Sequence, residues 1–158
     1  MHRLFSPYTM SHYENMYNEF LNSTGYSKEE HCNLLFISSG SFNQPLENWD
    51  VSNVTDMKYM FWFLKSFNQP LEKWDVRNVT QMDGMFSNTS FNQPIDKWDV
   101  SNVTMMGSMF EYSSFNQPLN KWDVRNVTEM DSMFSGTPLF NQPIDKWDVS
   151  NVTMMGWM

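Results

Sequence analysis

Phe67-Asn-Gln-Pro-Leu-Glu-Lys-Trp74-Asp-Val-Arg-Asn-Val-Thr80-Gln-Met82-Asp-Gly-Met85-Phe86 is one of five copies of a single pattern, which begin at Phe42, Phe67, Phe91, Phe115 and Phe140. The copies start 25, 24, 24 and 25 residues apart. A unit this short buries too little apolar surface to fold alone, so neighbouring copies must stack and complete each other's core. The regularity also argues against an active site, which needs a local departure from the pattern.

Within a copy, Leu71, Trp74 and Val76 have the L-x-x-L-x-L spacing of a leucine-rich repeat. That spacing predicts a short parallel strand with Trp74 and Val76 turned inward and Lys73 and Asp75 outward. Val79, Met82, Met85 and Phe86 follow at helical spacing, and Asn78 stands where an N-cap would, so a short helix or 3-10 turn is predicted next. Pro94 stops any helix before the following strand. The fold expected is therefore an α/β repeat solenoid of right-handed, leucine-rich-repeat-like coils. It would span 32–158, with repeats 42–66, 67–90, 91–114, 115–139 and 140–158, the last truncated inside its coil at Met158.

The first 31 residues lie outside the pattern. Ser11 and Glu14 have capping-box spacing, and Tyr13, Met16, Tyr17, Phe20 and Leu21 mark one face of an amphipathic helix, so 1–31 is predicted to be an N-terminal helical cap. Segment 32–41 reads as a degenerate half coil, with Cys32, Leu35 and Phe36 in the slots of Met82, Met85 and Phe86.

Composition narrows the function. Apolar residues at 41% and aromatics at 16% of 158 suffice for a core, while a net charge of -8 offers no basic stripe for nucleic acid. One cysteine excludes an intramolecular disulfide, and its place in a methionine slot reads as core rather than as a reactive thiol. Met1 to Tyr17 holds no apolar run long enough for a secretory signal, and no stretch reads as a membrane span.

Phe-Asn-Gln-Pro-Leu, Trp-Asp-Val-Ser-Asn-Val-Thr and Met-x-x-Met-Phe recur together over residues 32 to 158, and this wording resembles the BspA-type leucine-rich-repeat surface proteins. The resemblance is to their tryptophan- and methionine-rich branch, the mycoplasma surface-lipoprotein-like repeats of unknown function. It implies an adhesion or binding module at a cell surface, with no catalytic residues to carry over. No signal, lipobox or anchoring segment accompanies it in this sequence, which leaves the location open.

Several motifs invite sharper chemistry. Met57-x-x-Met60, Met82-x-x-Met85, Met106-x-x-Met109, Met130-x-x-Met133 and Met155-x-x-Met158 have the spacing of a thioether site for Cu(I), yet valine and phenylalanine share their face and core filling is the simpler account. Asp50, Asp75, Asp99, Asp123 and Asp148 form a column suggestive of a calcium ladder. Lys73, Lys97, Lys121 and Lys146 run beside it, so a neutralised, solvated face is expected instead. Asn53, Asn78, Asn102, Asn126 and Asn151 open Asn-Val-Thr sequons, as Asn22 and Asn88 open others, with helix capping as the structural reading for the repeated set. His2, His12 and His31 fall outside the full repeats, and no phosphate loop, nucleophile elbow or metal-ligand spacing stands out, so no cofactor or metal is expected.

A longer period is also visible. Repeats three and five share Phe-Asn-Gln-Pro-Ile-Asp-Lys-Trp-Asp-Val-Ser-Asn-Val-Thr-Met-Met-Gly, and repeats two and four share arginine before the asparagine, as if a two-copy unit had duplicated. The segments after the methionine pairs differ, and variable loops on a rigid scaffold are where recognition is expected. Trp62, Phe63 and Tyr112 in those loops, with Lys73, Asp75, Arg77, Lys97, Asp99, Lys121, Asp123 and Arg125 on the strand face, are the candidate binding residues. Trp49, Trp74, Trp98, Trp122, Trp147, Met82, Met85 and Phe86 are the predicted core. The function expected is a non-catalytic scaffold for a protein or cell-surface macromolecule. End-to-end assembly through the open last coil is the alternative, and an enzyme or metal protein ranks last.

Overall fold

The structure, a computed structural model, describes residues 42–158; the predicted cap 1–31 and half coil 32–41 lie outside the described residues. Five copies stack as successive coils, each joined to the next by one parallel bridge: Asp56 to Gln81, Gln81 to Met105, Met105 to Glu129 and Glu129 to Met154. Among the described residues there is no helix and no sheet, so the α/β solenoid expectation is overturned. The Leu71 to Val76 segment is turn and irregular backbone, and the bridges fall where the helix was expected.

The reason is local backbone geometry. Within each methionine pair the third residue adopts the left-handed conformation: Tyr59, Gly84, Ser108, Ser132 and Trp157, with φ of 56, 58, 52, 55 and 57°. A second such residue follows at Phe63, Asn88, Tyr112 and Gly136. Each non-glycine residue there forfeits about 1–2 kcal/mol and ends any right-handed helix. What forms is a chain of β-turns, closed in the second coil by Trp74 N–H on Leu71 O, Val79 N–H on Val76 O and Met85 N–H on Met82 O, at 3.0, 2.9 and 3.2 Å.

The N–H groups that a helix would direct along itself are turned to the next coil. Met82, Gly84, Phe86 and Asn88 donate to the carbonyls of Met105, Gly107, Met109 and Glu111 at 2.8 to 2.9 Å, and coils one and three repeat the scheme. Buried backbone groups must be paired, and here the neighbouring coil does the pairing.

The core is continuous along the stack. Phe67, Leu71, Val79, Met82, Met85 and Phe86 in the second coil are wholly buried, as are their counterparts in the third. Phe42, Phe67, Phe91, Phe115 and Phe140 stack with ring centroids 6.1 to 6.3 Å apart. Phe61, Phe86, Phe110 and Phe134 form a second column at 5.5 to 5.8 Å. Each ring of the second column meets one of the first nearly parallel at 3.9 to 4.1 Å. Such pairs add roughly 0.5–1.5 kcal/mol each beyond the area they bury.

Candidate functional site

The repeated polar residues are spent on joining coils. The indoles of Trp74, Trp98, Trp122 and Trp147 each reach back one coil, as Trp98 Nε1–H donates to Leu71 O at 3.0 Å and Trp122 Nε1–H to Ile95 O at 3.1 Å. Asn68 Oδ1 accepts Asn92 N–H at 2.9 Å and Gln93 Nε2–H at 3.1 Å, so the Phe-Asn-Gln-Pro segment is a side-chain ladder. The predicted N-cap role of Asn78 is corrected by the same logic, because its Nδ2 donates to Ser52 O at 2.8 Å and no helix follows. Asn102, Asn126 and Asn151 do likewise, at 2.7 to 2.8 Å. Thr80 donates both N–H and Oγ1–H to Thr55 O, at 2.8 and 3.2 Å.

The charged candidates gather along one corner of the stack. Lys73, Arg77, Lys97, Asp99, Lys121 and Arg125 are exposed, with Asp75 and Asp123 partly covered. The expected neutralisation of the lysine column by the aspartate column is not what forms. Lys97 pairs with Glu72 at 2.7 Å, Lys121 with Asp96 at 2.6 Å and Lys73 with Glu47 at 3.9 Å, each an acid of the preceding coil. The aspartates turn to their own coil: Asp75 and Asp123 hold Arg77 and Arg125 at 2.8 Å, and Asp99 accepts Ser101 N–H at 3.1 Å and its hydroxyl at 2.6 Å. These bonds hold the Asp50, Asp96, Asp99 and Asp148 carboxyls below their ordinary value, through Ser52, Lys121, Ser101 and Ser150 respectively. No group of three or more metal-ligating side chains comes together among the described residues.

The aromatic candidates lie elsewhere, on the second left-handed turn. Phe63 and Tyr112 occupy the same position two coils apart, exposed by 44% and 60%, with Asn88 between them in the sequence of coils. Trp62 is half-buried and edge-on to Phe63, at 4.6 Å between centroids. The Tyr112 ring lies over Gly136 of the next coil, where a β-carbon would collide with it. Of the predicted core, Trp74, Trp98, Trp122, Trp147, Met82, Met85 and Phe86 are buried, and Trp49 is partly buried against them.

A further constellation was not singled out from the sequence. Lys58, Asp83, Gly107, Asp131 and Gly156 are one position in successive coils. Lys58 Nζ lies 3.6 Å from Asp83 Oδ2, and the carboxylates of Asp83 and Asp131 converge on Gly107 from either side. The signal was the alternation of aspartate and glycine behind each first methionine, part of the same two-copy period.

These features define a repeat protein whose coils are built from turns, stapled to one another by repeated Asn, Gln, Trp and Thr side chains. The chain belongs to the family described as "Mycoplasma protein of unknown function, DUF285", whose model matches residues 5–114 and again 70–158. No curated protein and no solved structure matches it. No helix among the described residues is long and apolar enough to cross a membrane.

Proposed function

We propose that the chain is a non-catalytic display scaffold that binds a protein or other cell-surface macromolecule, as an adhesion or interaction module. The observation that carries this reading is the contrast between repeated and variable residues. Repeated polar groups are consumed between coils, whereas the aromatic rings of Phe63 and Tyr112 stand exposed on turns anchored to a fully packed core. Rigid aromatic side chains on a fixed backbone lose little entropy on binding, and contacts repeated along a stack add up. The narrower likeness of the repeat wording to BspA-type surface proteins favours a location at the cell surface.

The test is binding of the immobilised chain to a panel of extracellular-matrix and membrane-ectodomain proteins by surface plasmon resonance. The Phe63→Ala/Tyr112→Ala variant is expected to lose about tenfold or more in affinity, about 1.4 kcal/mol, while still unfolding cooperatively. Binding retained by that variant and lost by Lys97→Ala/Arg125→Ala would place recognition on the charged corner. No binding by the unaltered chain to any of the panel would refute the reading.

A further inference from the structure

Gly107 is buried in the third coil, and the space its missing side chain leaves is shared by two carboxylates. Asp83 Oδ1 from the coil before and Asp131 Oδ1 from the coil after lie 3.2 and 3.1 Å from the point a β-carbon would occupy. Gly107 N–H donates to Asp83 Oδ1 at 3.2 Å. The other oxygen, Asp83 Oδ2, is buried and accepts no hydrogen bond. Its one cationic neighbour is Lys58 Nζ, at 3.6 Å from the preceding coil. The charged groups facing Asp83 are thus Lys58 from the first coil, none from the third at this position, and Asp131 and Glu129 from the fourth.

We propose that this joint is acid-tightened: uptake of one solvent proton by Asp83 removes a buried negative charge beside Asp131 and Glu129 and strengthens the packing of coils two to four. Two like charges this close, one of them poorly solvated, repel at neutral pH, and a single ammonium at ion-pair distance offsets only part of that cost. Burial pushes the Asp83 carboxyl above its ordinary value of 3.8, against the pull of Lys58 and the Gly107 N–H, with Glu129 adding to the rise. The direction of the pH effect follows. The folded chain holds the proton more tightly than the unfolded one, so stability falls as pH rises through the folded-state titration, and the cost is absent below the ordinary value. Asp50, Asp96, Asp99 and Asp148 act oppositely, but their contribution is lost only as pH falls toward and below 3.8. A window above 3.8 therefore excludes those four carboxyls, and comparison with Asp83→Asn separates the joint from the three histidines. The alternation of aspartate with glycine at this position acquires a reason, because an aspartate in every coil would place carboxylates in direct contact.

The experiment is thermal melting of the full chain and of Asp83→Asn between about pH 7.5 and about pH 4.5. The unaltered chain is expected to melt higher at the acid end of the range, and the variant to melt at least as high at neutral pH with no gain. The carboxyl carbon shift of Asp83, followed by NMR in the unaltered chain, is expected to titrate above the ordinary aspartate value, a readout independent of whether the variant folds. A flat or falling melting point across the window, an Asp83→Asn variant that keeps the acid gain, or an Asp83 carboxyl that titrates at or below the ordinary value would overturn the proposal.

Discussion

Gly84→Ala isolates the coupling of one coil to the next. Gly84 has φ +58°, and a β-carbon there would fall within contact distance of two atoms of the Tyr59 ring, which lies over it from the preceding coil. Two costs add. Alanine in the left-handed region forfeits about 1–2 kcal/mol. Overpacking against a ring edge costs about 1–3 kcal/mol more. A loss of about 2–5 kcal/mol in urea denaturation is expected, a large part of the total for a domain of this size. The two parts are separable, because Ser108 and Ser132 occupy this position in the third and fourth coils with φ of 52 and 55°, and the coil before each carries Gly84 or Ser108 there rather than an aromatic residue. Tyr59→Ser/Gly84→Ser should therefore recover all but the backbone share of the loss relative to Tyr59→Ser alone. A double-mutant cycle on Tyr59 and Gly84 is expected to return a coupling of about 1–3 kcal/mol. A Gly84→Ala loss under about 1 kcal/mol, or a cycle with no coupling, would refute the argument that the Tyr59 ring dictates glycine beneath it.

Trp98→Phe removes the indole donor to Leu71 O, leaves that carbonyl with the Trp74 N–H alone, and is expected to cost about 0.5–1.5 kcal/mol by chemical denaturation. Lys121→Ala is expected to cost under about 1 kcal/mol in the same assay, despite the 2.6 Å approach to Asp96, because the lysine is largely solvated and the pair is screened.

Much of the molecule was legible in the chain itself. The period, the stacking of copies and the inward residues follow from where phenylalanine, leucine, tryptophan, valine and methionine recur, since apolar spacing reports which side chains must leave water. Trp74 and Val76 are buried and Lys73 is exposed, as alternation implies. The same spacing misled on backbone conformation. Val79, Met82, Met85 and Phe86 have helical spacing, but a run of turns also places every third or so residue inside, and periodicity alone does not separate the two. The decisive residues, Tyr59, Ser108, Ser132 and Tyr112, are not glycine, so nothing in their identity marks a left-handed position.

The binding candidates divide in the same way. That Phe63 and Tyr112 break the pattern was visible in sequence; that both stand exposed at the same left-handed turn required the fold. The lysine partners were misassigned because sequence columns give which residues run in parallel but not how far each side chain leans along the stack. Lys97 crosses to Glu72 of the coil before, while Asp75 turns back to Arg77. Sequence by itself determined the repeat, its core and its acidic surface, because these depend on residue type and spacing. Tertiary structure alone decided that coils are made of turns and that Asp83 meets Asp131 across Gly107, because hydrogen bonds and carboxylate contacts between residues some 24 positions apart depend on register.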